Sequence, residues 1–231
     1  MNNSIYALVI AAHPDDAEFG VAGTVAQWTG EGKNIVYVVC TNGEKGTSDR
    51  SISISELAKI REKEQIDAAN VLGVREVVFL GYPDQELEDT SEFRKKIVRL
   101  VRQYRPEIVV TPDPYIRYLW HRDHRITGQV VMDAVFPYAR DHLSYPELLD
   151  EGLEPHKVKE MYFWGAEDVN FRVDITNTFD IKLSALKCHK TQVGRWKQGE
   201  LEERMRKRYK EFAKGENFEL AEPFHRLEIP Y

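Results

Sequence analysis

Residues 11–20 read AAHPDDAEFG and residues 121–124 read HRDH. Together they hold three histidines and three aspartates in two short clusters more than a hundred positions apart. Adjacent carboxylates such as Asp15 and Asp16 repel each other unless a positive charge faces them. Imidazole, carboxylate and imidazole are the ligand types of a catalytic zinc, so His13, Asp16 and His124 can supply three ligands and leave a fourth position for water. Zinc lowers the pKa of such a water to about 7. Asp15, next to a ligand, is then available as general base. His121, three residues before His124, falls on the same side if a helical turn begins there. There it can hold a developing oxyanion or protonate a leaving amine.

Competing uses of the same residues account for less. A helix-capping aspartate or a satisfied lone histidine explains either motif alone, but not both motifs at strand ends. A dinucleotide fold would show a glycine-rich turn after its first strand. Gly20 and Gly23 are present, yet the turn itself is HPDD, whose carboxylates would repel a pyrophosphate. A two-metal phosphoesterase needs further bridging carboxylates, for which Asp113 and Asp123 are the spare acids near the second motif. A binding module with an idle metal site is the other rival.

The clusters need a scaffold, and the chain reads as one. YALVIAA (6–12), IVYVVCT (35–41), EVVFLG (76–81) and EIVVTPD (107–113) are short apolar runs of the kind buried on both faces of a parallel sheet. Helical stretches alternate with them: about Asp16 to Thr29, then SELAKIREKEQIDAANVLG (55–73), where Ser53 and Glu56 are spaced as a capping box and Gly73 stops the helix, then SEFRKKIVRLVRQY (91–104). Units of about thirty residues predict right-handed crossovers. EMYFWGA (160–166) and NFRVDIT (170–176) read as two more strands paired with each other, with helices near 177–192 and 200–214 and a tail, FELAEPFHRLEIPY. The expected fold is α/β, a Rossmann-like three-layer α/β/α domain over 1–231 with a mainly parallel sheet and a C-terminal strand pair plus helices. In such a sheet ligands bind beyond the carboxyl ends of the strands, which is where both clusters fall.

Composition narrows the partners. A 42% hydrophobic, 30% charged chain of 231 residues is ordinary for a globular protein, and a net charge of -6 argues against nucleic acid. The basic stretch ERMRKRYK (203–210) sits among glutamates and reads as a solvated helix face. No run approaches the roughly 20 apolar residues of a membrane span, and the first residues lack the basic start of a signal peptide. Cys40 and Cys188 form no disulfide framework, so the cytoplasm is the expected compartment.

AHPDDAEFG and HRDH resemble the two metal motifs, A-H-P-D-D-x-x-x-G and H-x-D-H, of the LmbE-like (PIG-L) zinc-dependent N-deacetylases, and the resemblance runs from Tyr6 to about Asp133. It implies one zinc per chain held by His13, Asp16 and His124, with Asp15 as base and His121 as oxyanion stabiliser. The implied reaction is hydrolysis of the acetamide of an N-acetylglucosamine-type sugar, releasing acetate. Arg61 lies within about 40° of Leu57, Ala68 and Leu72 on a helical wheel, so it points inward at the ligand end of the sheet. A buried guanidinium needs a carboxylate or a substrate oxygen. Asp84 of the LGYPD loop lies at the same end, and the resemblance implies that both hold sugar hydroxyls. Arg117 and Trp120 precede the second motif and are expected to line a sugar pocket. His225, in EPFH, resembles a family segment that reaches an active site, sometimes a neighbour's, which would require a homo-oligomer such as a trimer or hexamer. His142, His156, His189 and Cys188 read as structural. The expected substrate is free N-acetylglucosamine or a short chitooligosaccharide, because nothing basic or membrane-seeking suggests a lipid-linked donor; a thiol-precursor glycoside is the alternative.

Overall fold

A computed structural model describes residues 4–230. Five strands, β1 (Ile5–Ala11), β2 (Asn34–Thr41), β3 (Glu76–Tyr82), β4 (Ile108–Pro112) and β5 (Glu160–Trp164), run parallel. Two more, β6 (Phe171–Asp174) and β7 (Ala221–Glu228), complete one seven-stranded sheet of order β3-β2-β1-β4-β5-β7-β6. The apolar run of β1 is buried because both sheet faces are covered. Leu8, Ile10, Val36 and Val38 face α4 (Ser91–Tyr104) and α5 (Arg122–Asp133). Their neighbours Ala7, Val9, Ile35 and Tyr37 face α1 (Asp16–Gly20), α2 (Ala22–Gly30) and α3 (Ile54–Leu72). Period-two alternation thus splits one strand between two cores.

Local signals hold where they are strong. Ser53 caps α3, its hydroxyl accepting the Glu56 N–H at 3.3 Å, and Gly73 ends it with φ 71°. Three expectations need correction. The helix read over 16–29 breaks at Val21, because Gly20 packs against the Trp164 ring and the second helix starts on a new cap. That cap is Glu222, whose carboxylate accepts the N–H groups of Gly23 at 2.8 Å and Thr24 at 2.7 Å. The expected pairing of 160–166 with 170–176 does not form. The tail supplies β7, which lies between them, antiparallel to both, with Phe163 opposite His225 and Phe171 opposite Phe224. Pro223 and the charges of AEPFHRLE hide a strand that tertiary pairing creates. Finally, the helix read over 177–192 is two, α7 (Phe179–Leu186) and α8 (Lys190–Val193). His189 turns into the core between them, fully buried.

A short helix, α6 (Glu147–Asp150), precedes β5, and α9 (Glu200–Phe212) packs Leu201, Met205 and Tyr209 on Phe179 and Leu183 of α7. Among the described residues no helix is long and apolar enough to cross a membrane.

Candidate functional site

The loops after β1, β2, β3 and β4 meet at the carboxyl edge of the sheet, and His13 stands at their centre. Its Nδ1 lies 3.3 Å from Asp16 Oδ2 and 3.2 Å from His124 Nε2, and His124 Nε2 lies 2.9 Å from Asp16 Oδ1. The other ring nitrogen of His13 faces Asp84 Oδ1 at 3.1 Å and Asp123 Oδ2 at 3.3 Å. Burial opposes a charge on His13, yet Asp16, Asp123 and Asp84 push its pKa up to about 12. Carboxylates thus face both ring nitrogens of His13. Two imidazole nitrogens and a carboxylate turned on one another, with one ring anchored to outer carboxylates, fit a divalent cation.

His13, Asp84 and His121 form a second group with ligand-type spacing. It shares the His13 ring, whose Nε2 already has buried carboxylates as partners. One neutral imidazole cannot give both nitrogens to cations while keeping its proton. The Asp16–His124 side is thus the better candidate.

Asp15 stands beside these residues at φ 93°, ψ -24°. Its carboxylate meets Arg61 Nη2 at 3.3 Å, and its N–H donates to Gln65 Oε1 at 3.0 Å. Burial pushes the Asp15 carboxyl up to about 7 against the pull of the Arg61 guanidinium. His121 caps α5, its Nδ1 accepting the Asp123 N–H at 3.2 Å, which leaves any proton on Nε2. Its ring stands edge-on to His13, with centroids 4.5 Å apart. Burial and the neighbouring His13 and His124 hold its pKa below the ordinary histidine value, favouring the neutral form.

A cleft of about 490 Å3 opens from Asp16 and His124. Phe19, Trp120, Trp164, Tyr209 and Phe212 give it aromatic walls, and Arg208 stands among them. Trp120 packs on His124, ring centroids 4.6 Å apart, and lines the cleft.

Other expected residues take different partners from those expected, or lie away from the cleft. Arg61 does not pair with Asp84: it bonds the Gly43 carbonyl at 2.6 Å and the Pro14 carbonyl besides Asp15, because its helix starts opposite the HPDD turn. Asp84 instead accepts from the Lys45 N–H at 3.1 Å and faces His13. Arg117 is exposed, pairs with Glu167 at 3.1 Å and lines a separate shallow depression. His225 sits on β7, its Nδ1 2.8 Å from the Asp168 carbonyl and its ring against Phe163, on the sheet rather than in a loose tail.

Sequence reasoning missed how two residues contribute. Asp123 is fully buried and anchors His13 while accepting the Gln85 N–H at 2.6 Å; its place inside HRDH was the available signal. Gln65 holds the Asp15 peptide, and its spacing of one turn after Arg61 puts both on one helix face.

Comparison with known proteins places this geometry. Residues 8–135, more than half the chain, match the family model PIG-L: GlcNAc-PI de-N-acetylase. The chain belongs to the PIG-L family. Within it, the chain is similar to the diacetylchitobiose deacetylase of Thermococcus kodakarensis, 37% identical over 185 residues that cover 80% of this chain and 69% of the relative. A solved N,N'-diacetylchitobiose deacetylase from Pyrococcus horikoshii, complexed with its inhibitor MPG, superposes with TM-score 0.91 at 32% identity, covering 96% of this chain and 84% of that one. The mycothiol S-conjugate amidase of Streptomyces coelicolor is 27% identical over an alignment covering 100% of this chain and 96% of its own. Both histidine–aspartate motifs fall inside the matched residues.

Proposed function

We propose that the chain is a metal-dependent deacetylase of N-acetylglucosamine-type sugars, acting on N-acetylglucosamine or a short chitooligosaccharide. The convergence of His13 Nδ1, Asp16 and His124 Nε2 at the mouth of an aromatic cleft carries this reading. The likeness to diacetylchitobiose deacetylases supports the sugar class. Two imidazoles and a carboxylate suit zinc, one ion per chain. When bound, the cation supplies Lewis acidity that polarises an amide carbonyl and acidifies a water.

The chain's own residues do the rest. Asp15, next to a ligand and held by Arg61, takes a proton from the attacking water and passes it to the departing amine. His121, neutral and protonated on Nε2, donates to the oxyanion that develops on the amide carbonyl. Trp120 and Trp164 offer faces on which a pyranose ring can stack. Asp84, 3.1 Å from His13 Nε2, is the polar group assigned to a sugar hydroxyl. Arg61 acts through Asp15, and His225, whose Nδ1 faces the Asp168 carbonyl, is assigned to the site of a neighbouring chain in a homo-oligomer. The reading takes residues 1–231 as one domain, and both cysteines stand free, which fits the cytoplasm.

An amine-release assay over N-acetylglucosamine, N,N'-diacetylchitobiose and a thiol-precursor glycoside, with zinc added or chelated, tests it. Zinc-dependent release from the first two is expected. Release only from the glycoside, or none, overturns the substrate assignment.

A further inference from the structure

Asp15 occupies a left-handed backbone conformation, which costs a residue with a side chain on the order of 1 kcal/mol or more and persists only where its surroundings hold it. The partner of its peptide nitrogen is Gln65, fully buried in α3, whose Oε1 accepts the N–H at 3.0 Å. Gln65 Nε2 in turn donates to Glu18 Oε1 at 2.9 Å, and Glu18 Oε2 meets His189 Nε2 at 3.1 Å. The side chains of Glu18 and His189 are both 0% exposed.

The direction of this chain is set by chemistry. A carboxylate only accepts, so Glu18 takes the amide protons of Gln65 and a proton from His189. The Gln65 oxygen, and not its nitrogen, is thereby turned toward Asp15. His189 Nδ1 has no hydrogen-bond partner, which leaves Nε2 as the donor. The segment carrying His189 is tied to the same helix, because the Thr191 N–H and hydroxyl both donate to Glu64, at 2.9 and 2.6 Å. Arg61 and Gln65 lie one turn apart, so a single face of α3 grips Asp15 twice, at its carboxylate and at its peptide.

We propose that Gln65, Glu18 and His189 are positioning residues: as a buried relay they hold the Asp15 peptide in its left-handed turn and so aim its carboxylate. The proposal rests on the reading of Asp15 as the base. It draws His189 into the site from outside the residues 8–135 that match the family model.

Two readouts test it on the full-length, zinc-loaded protein: hydrogen exchange at the Asp15 amide, and kcat and KM for amine release from N,N'-diacetylchitobiose. Gln65→Leu and His189→Leu are expected to speed Asp15 exchange and lower kcat, each about tenfold or more, with KM within about twofold and zinc content unchanged. His189→Gln, whose amide nitrogen replaces Nε2 as donor, is expected to restore both. Glu18→Gln keeps the volume but frees the Gln65 amide to flip; it should behave as the leucine variants do and serves if they fail to fold. Wild-type exchange and kcat in Glu18→Gln or the leucine variants overturn the relay, as does a His189→Gln as damaged as His189→Leu. If the wild type releases no amine from any N-acetyl sugar, the reading of Asp15 as base falls, while the exchange rates still decide the relay.

Discussion

The Arg61 guanidinium lies 3.3 Å from the Asp15 carboxylate while donating to the backbone carbonyls of Pro14 and Gly43. One rigid fork thus joins the loops after β1 and β2 to the proposed base. A lysine cannot match it, because a compact ammonium on a flexible stem does not span three acceptors in one plane. Arg61→Lys is expected to lower kcat on the order of tenfold to a hundredfold while one metal ion per chain is retained, read by steady-state kinetics and metal analysis.

Gly20, the last residue of AAHPDDAEFG, lies where a Cβ would come within 2.6 Å of the Trp164 ring. Trp164 is held on β5 and cannot retreat into the sheet, so Gly20→Ala drives its ring toward the cleft that both residues line. Overpacking of this kind costs about 1–3 kcal/mol. The expected outcome is a lower unfolding midpoint together with a raised KM for N,N'-diacetylchitobiose, measured by denaturant titration and kinetics.

Lys182 and Glu222 form an ion pair at 2.7 Å with both side chains 0% exposed. Lys182→Met leaves the carboxylate buried without its cation, which costs about 3–5 kcal/mol. Lys182→Met with Glu222→Gln should recover part of that loss, since a neutral amide oxygen can still accept from the Gly23 or Thr24 N–H. Urea unfolding of the two variants gives the order directly.

Burial opposes charge on His189, but its contact with Glu18 and the nearby Asp15 and Glu64 raise its pKa above the ordinary value of 6.5. A group whose pKa rises on folding stabilises fully below its unfolded value, and that contribution is lost as pH climbs through the folded value. Wild-type stability is therefore expected to decline above about pH 6.5. His189→Gln, which does not titrate, should decline less. Unfolding midpoints of the metal-free proteins over a pH series check this.

Much of this was legible in the sequence because the decisive signals are local. Buried parallel strands read as continuous apolar runs, and Ser53 with Gly73 marks both ends of α3. That His13, Asp16 and His124 would meet was legible because HPDD and HRDH carry unusual residue types at strand ends. What stayed hidden depends on partners distant in sequence. Glu222 caps α2 from 199 residues away, which splits the helix read over 16–29. Strand β7 exists because β5 and β6 flank it, whereas its own residues include a proline and alternate poorly. Arg61 was recognisable as buried, but its choice of Asp15 over Asp84 follows from how the β1 and β2 loops meet its helix.

The central claim is that Asp16 holds the metal while its neighbour Asp15 moves the proton. Measuring zinc content and amine release from N,N'-diacetylchitobiose side by side for wild type, Asp15→Asn and His13→Ala tests this most directly. Asp15→Asn is predicted to keep one zinc per chain and lose turnover by about a hundredfold or more, whereas His13→Ala loses both. An Asp15→Asn protein that carries zinc and turns over at the wild-type rate at neutral pH would contradict the account.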